Sequence, residues 1–199
     1  VPPIKGAPEA LPEGIRVASA ELPPALREVI EIDLGALEHQ NTLIERLDRE
    51  IEVTSGADAR VKLLQTAPGV GLTTAAVFVA TIDNPQRFAS GHELGSFLGL
   101  VPGEHSSGEK RLLGSITKAG PRYLRSLLVQ AAWAIWRSTR RAAADALRAW
   151  AGGIEKRRGK RVAIVALARK LAGILLAMWK KQTWPRPWAS PTTSSVATR

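Results

Sequence analysis

Ser106 and Ser107 stand between His105 and Gly108, with Lys110 and Arg111 just behind them and Lys118, Arg122 and Arg125 following. Hydroxyls beside a flexible glycine and ringed by cations suit a phosphodiester. A serine oxygen can attack phosphorus while Arg and Lys neutralise the charge that grows on the non-bridging oxygens. The same side chains can equally hold a phosphate through hydrogen bonds and perform no chemistry, because Ser-Ser-Gly is also ordinary loop composition. His105 by itself reads more readily as a surface or packing residue than as a base. The whole stretch from Leu98 to Arg125, "LGLVPGEHSSGEKRLLGSITKAGPRYLR", is longer, more basic and richer in glycine than a connector between two helices requires.

A second candidate contact lies upstream, in "LLQTAPGVGLTTAA". Here a short apolar helix over 61–66 meets Pro68-Gly69-Val70-Gly71 and a second helix begins near Leu72 or Thr73. Gly69 and Gly71 admit backbone conformations closed to other residues, and Thr73 sits where amide N–H groups at a helix start can face a phosphate. This pattern resembles the helix-hairpin-helix module, which grips the nucleic-acid backbone without reading sequence. A plain helix-to-helix turn would use the same glycines.

These segments need a scaffold, and the periodicities predict one that is mostly α. Residues 1–24 hold Pro2, Pro3, Pro8, Pro12, Pro23 and Pro24 and read as a proline-rich linker. In the next segment, 25–56, Ile30, Leu37, Ile44 and Ile51 recur every seven residues, with Leu26, Leu34 and Leu47 filling in. That predicts a coiled-coil-like amphipathic helix, interrupted by Gln40 and Asn41, and closed by Gly56 as a C-cap. A helical domain follows over 57–184. Within it, a turn at Asn84-Pro85 precedes a short helix from about Gly91 to Leu98. A long helix starts at Pro121 and runs to Trp150, with Arg137, Arg140 and Arg141 largely off its apolar face, until Gly152-Gly153 breaks it. A last, buried helix covers about 161–181, and 185–199 reads as a flexible tail. No alternating strand pattern of any length is present.

Composition narrows the function. The 199 residues hold no cysteine, which removes disulfides and thiol nucleophiles. The N-terminus lacks the basic-then-apolar order of a secretory signal, and the most apolar stretch is interrupted by Arg169 and Lys170, so no membrane partner and a cytoplasmic location are expected. The net charge of +10 is unevenly placed: residues 1–100 carry 8 Lys/Arg against 14 Asp/Glu, and residues 101–199 carry 20 against 4. So basic a second half favours a polyanionic partner, nucleic acid above all.

From Ala67 to Trp133 the chain resembles the C-terminal transposase domain of the insertion-sequence-110 family. The matching pieces are "PGVG" at 68–71, Arg87-Phe88, "LGLVP" at 98–102, "HSSG" at 105–108, Gly114 with "ITKAG" at 116–120, and the helix "LRSLLVQAAW". The resemblance implies a recombinase that moves an insertion sequence, with DNA and a structured non-coding RNA as partners. It implies Ser107, or failing that Ser106, as a nucleophile that becomes joined to DNA. It also implies a homo-oligomer formed through 25–52. The residues themselves point to Gly69, Gly71 and Thr73 of the hairpin and to Lys110, Arg111, Lys118, Arg122 and Arg125 as nucleic-acid contacts. Family members hold Mg²⁺ with acidic residues of an N-terminal RuvC-like domain. The carboxylates of this chain read instead as the solvated face of its heptad helix, so no cofactor is expected in this chain and Mg²⁺ only together with that domain. The chain begins at Val1, past the place where the RuvC-like domain is expected, which reads as a fragment, a translated alternative start codon, a decayed gene or one half of a split protein, and predicts no strand transfer by this chain alone. Two other readings stay open: a non-catalytic nucleic-acid-binding module, and a coiled-coil adaptor with a merely solubilising basic half.

Overall fold

The apolar residues between Lys160 and Lys181 recur on more than one side of a helix, and such a segment is stable only where neighbours cover it nearly all round. The computed structural model describes residues 11–104, 113–138 and 142–183, and in it this segment is the hub. The helices in chain order are α1 (Leu11–Ser19), α2 (Pro24–Ser55), α3 (Ala59–Gln65), α4 (Leu72–Ile82), α5 (Gly91–Phe97), α6 (Arg122–Arg137), α7 (Ala142–Arg158) and α8 (Lys160–Lys181), with a 3₁₀ turn at Pro85–Arg87. Two short strands, β1 (Pro102–Glu104) and β2 (Leu113–Ile116), pair antiparallel. The fold is mostly α, as the periodicities predicted. Strands of three and four residues are too short to show an alternation, which is why the sequence did not reveal them.

The chain forms two compact units, Val1–Glu50 and Ile51–Arg199. In the first, α1 lies where a linker was expected. Its prolines explain the difference: Pro12 falls in the first turn, where a missing N–H is harmless, and the next prolines, Pro23 and Pro24, come only after the helix ends. Arg16 of α1 reaches two carboxylates of α2, Glu31 Oε2 at 3.2 Å and Glu38 Oε1 at 2.9 Å. Exposed pairs of this kind contribute roughly 0–1 kcal/mol each, so they orient more than they stabilise. The heptad positions Leu26, Leu37, Ile44 and Leu47 are all exposed.

In the second unit, α8 packs against α3, α5, α6 and α7. Ile164, Leu167, Leu171, Leu175 and Met178 of α8 are buried in one core with Phe78, Leu94, Leu124 and Leu147. By length and composition alone α8 could cross a membrane. Burial among these helices accounts for its apolar character instead. The start of α3 is capped by Asp58, whose carboxylate accepts from the Arg60 amide at 2.7 Å. The side-chain hydrogen bond from the Arg60 guanidinium, together with this amide, holds that carboxyl below the usual aspartate range.

The boundary between α6 and α7 corrects the sequence reading. The expected helix from Pro121 to Trp150 stops at Arg137, because Ser138 adopts an extended conformation (φ −73°, ψ 135°). The break lets α6 and α7 pack separately against α8. Gly152 and Gly153, expected to end the helix, lie inside α7. A Cβ at either would meet nothing within 4 Å. Tertiary packing of α7 therefore overrides the weak helix propensity of glycine. Gly153→Ala is expected to stabilise the protein by about 0.5–1 kcal/mol, read as a higher denaturation midpoint at unchanged slope.

Candidate nucleic-acid interface

The resemblance-bearing residues "LGLVP" and "ITKAG" turn out to be two strands of one tight backbone crossing. Thr117 N–H donates to Val101 O at 2.9 Å, and Lys118 N–H donates to Gly99 O at 3.1 Å. These bonds continue the β1–β2 ladder, in which Pro102 faces Ile116 and Glu104 faces Leu113. Gly99 and Gly120 both have left-handed backbones, with φ of 65° and 74°. A Cβ on Gly99 would overlap the Ala119 backbone, and one on Gly120 would overlap the Phe97 carbonyl oxygen. Lys118 holds φ 56° without being glycine, a conformation that costs about 1 kcal/mol or more and persists where the surroundings dictate it.

Arg125 completes the crossing from α6. One guanidinium nitrogen donates to Leu98 O at 3.1 Å and to Ala119 O at 2.8 Å. Expected as a phosphate contact, Arg125 is engaged with the protein's own backbone. Lys118 and Arg122 are exposed beside it. Arg125→Ala is expected to cost about 1–3 kcal/mol by leaving two carbonyls without their charged donor, and Arg125→Lys should recover only part of it. Thermal melts of the two variants check this.

What the crossing supports is the segment 105–112, which joins Glu104 to Leu113. His105, Ser106, Ser107, Lys110 and Arg111 lie in it and are outside the described residues, as are Arg140 and Arg141. The paired strand ends nevertheless fix where this segment leaves and re-enters the fold.

At the upstream hairpin the two glycines part company. Gly69 has φ 75°, and a Cβ there would come within 2.5 Å of Ala131 O and 2.9 Å of Ile135 Cγ1. Its glycine is required by close approach to α6. Gly71 N-caps α4 with an extended backbone and open space around its Cα, and no side chain caps the helix. Thr73 is half-buried at the first turn. Gly69 and Gly71 are both exposed, and only Gly71 has open space around it.

The sequence reading missed a further cluster. A groove of about 1030 Å³ opens between α7 and α8, bordered by Pro102 of β1 and by Gly114, Ser115 and Ile116 of β2. Arg157 and Arg158 from the last turn of α7, and Arg161, Arg169 and Lys170 from α8, line it. Arg169 lies across Gly95, where an added Cβ would stand 3.1 Å from its Nε, and Arg157 Nε donates to Gly153 O at 3.1 Å. Among the described residues, Arg158, Arg161 and Arg169 make no ion pair with a carboxylate. Like charges gathered around one groove repel one another, and an anion in the groove relieves that repulsion. The run "EKRRGKR" at 155–161 was the available signal. Its significance depended on α7 and α8 meeting beside the β hairpin.

Residues 61–152 match the domain described as transposase, IS116/IS110/IS902 family. They are a transposase domain of the IS110 family. The likeness extends over most of the chain. It is 36% identical to a probable family 20 transposase of Pseudomonas aeruginosa over 84% of this chain and 49% of that protein. It is 32% identical to the transposase for insertion sequence element IS1111A of Coxiella burnetii, over 87% of this chain and 48% of that one. For the IS1328 transposase of Yersinia enterocolitica the identity is 31%, covering 83% and 52%. The chain thus spans about half the length of the curated relatives it matches. Within the matched region fall the backbone crossing, the segment carrying Ser106 and Ser107, and most of α7.

Proposed function

We propose that this chain is the DNA-contacting, serine-bearing part of an insertion-sequence transposase. The observation that carries the reading is positional. The segment holding Ser106 and Ser107 is rooted in two paired strands, and those strands border a groove lined by five cationic side chains. Ser107 serves as nucleophile, its Oγ bonding to phosphorus as the bond to a sugar oxygen breaks, with Ser106 as the neighbouring alternative. Lys110, Arg111, Lys118 and Arg122 neutralise the charge that develops on phosphate oxygens. Gly71 and the first turn of α4, including Thr73, hold backbone phosphate farther along the duplex. Gly69 and Arg125 keep these elements in place.

The described residues contain no group of three or more His, Cys, Asp or Glu side chains able to hold a metal. Mg²⁺ would be held by the acidic residues of a RuvC-like domain, such as the resemblance implies. The exposed heptad residues of α2 pair two copies, a structured RNA can share the basic surface, and the protein works in the cytoplasm.

The test is strand cleavage and DNA binding by a transposase of the relatives' full length carrying Ser107→Ala or Ser106→Ala. Loss of cleavage with retained, salt-sensitive binding in the first variant supports the reading. Unchanged cleavage in both removes the serine chemistry and leaves a nucleic-acid-binding module.

A further inference from the structure

A flat basic face is enough to hold a duplex backbone, yet the groove between α7 and α8 is concave and its floor is apolar. Leu100, Ile154, Val165 and Ala166 line it, together with Trp150, which is 39% exposed. Lys170 Nζ lies over the Trp150 ring, 4.3 Å from its centre, so a cation covers one face and a base stacks on the other face or displaces the lysine. Phosphates alone would leave Trp150 and the half-buried Ile154, Val165 and Ala166 wet, and exposed apolar surface gathered in a concavity marks a place where something apolar docks. The component of nucleic acid that can cover it is an unpaired base, whose flat face stacks on aromatic rings regardless of sequence.

Size and surroundings agree with this. At about 1030 Å³ the groove stands at the upper end of the roughly 300–1,000 Å³ typical of sites for single small ligands. A short stretch of strand suits it better than one free nucleotide. Its cations sit on both helices that form it, so a base on the floor would have arginines within reach of its phosphates. It also opens beside the two strands that root the segment with Ser107.

We propose that this groove binds an unpaired stretch of nucleic acid, with a base stacked on Trp150 against Ile154 and Val165 and the adjoining phosphates on Arg158, Arg161 and Arg169. The proposal rests on the reading of this chain as a nucleic-acid-binding part of a transposase. An unpaired DNA strand next to the cleaved phosphodiester and an unpaired RNA segment present the same chemistry.

The 199-residue chain should be titrated with a labelled oligothymidylate, an oligouridylate and a duplex of equal length. Trp150→Ala is expected to weaken single-strand binding about tenfold and to leave the duplex within about twofold, whereas Trp150→Phe keeps a flat ring and should restore most of the affinity. The double variant Arg158→Gln, Arg161→Gln should lower the salt slope for single strands by about 0.7 per arginine. Tighter binding of thymidylate than of uridylate assigns the groove to a DNA strand, and the reverse order assigns it to RNA. Equal losses on duplex and single strand in Trp150→Ala, or no loss on either, overturn the base slot. Duplex binding without any single-strand binding also overturns it while sparing the transposase reading. If the unaltered chain binds none of the three probes, the nucleic-acid reading itself falls.

Discussion

Ser107→Ala, placed in a transposase of the relatives' full length, is expected to lower strand cleavage by on the order of a thousandfold or more while DNA affinity stays within about twofold. The size of the effect follows from the role. A covalent nucleophile has no substitute in its own position, and its removal typically leaves only what binding and charge stabilisation contribute. Binding should survive because it is spread over many cations, among them Lys118 and Arg122 at the crossing and the arginines of the groove between α7 and α8. Ser106→Ala is the internal control. It alters the same segment and the same charge surroundings, so cleavage reduced in Ser106→Ala and intact in Ser107→Ala exchanges the two roles. A gel that resolves a covalent protein–DNA species gives the decisive readout, since that species should vanish with the nucleophile and persist in the control.

The second large effect is expected in folding. Gly120→Ala places a Cβ against the Phe97 carbonyl oxygen at a residue whose φ is 74°. A left-handed backbone alone costs an alanine about 1–2 kcal/mol. Here the overlap is with backbone at the end of α5, which is held by the core residues Leu94 and Leu98 and cannot yield like a flexible side chain. A total loss on the order of 3–5 kcal/mol is expected, which is a large share of the roughly 5–15 kcal/mol that stabilises an ordinary domain. Gly103→Ala, one strand away, provides the contrast. Its Cβ would meet Ser115 O at an ordinary 3.5 Å and its φ is not left-handed. Denaturant unfolding of both variants should show a much lower midpoint for Gly120→Ala. Equal midpoints would mean that the crossing does not anchor the roots of the segment 105–112.

The two effects meet at the same place, because the rigid crossing gives the serine segment its fixed ends. Gly99, Gly120 and the Arg125 guanidinium hold 98–101 against 116–119, and the strands that continue from them frame the exit and return of residues 105–112. A nucleophile must be presented accessibly and still aimed to within a fraction of an ångström. Rooting a short segment in paired strands reconciles the two demands.

The sequence by itself determined what depends on neighbours along the chain. Apolar spacing set the existence and type of α2, α4, α6 and α8, glycine and proline set the turns around 68–71 and 84–85, and the ordered motifs from Ala67 to Trp133 identified the transposase domain. Charge counting placed the polyanion-binding potential in the second half. Tertiary structure decided whatever depends on residues far apart in the chain. The helix expected to continue to Trp150 breaks after Arg137 because α6 and α7 each pack on α8, and Gly152 and Gly153 stay helical because packing outweighs a propensity of about 1 kcal/mol. Arg125 and Gly69, chosen as ligand contacts from their types alone, also meet backbone brought from another element, which the sequence did not show. The groove with Trp150, Arg158, Arg161 and Arg169 was hidden for the same reason. Its residues are spread over two helices and a hairpin, and only their packing converts scattered basic and apolar side chains into one concave surface.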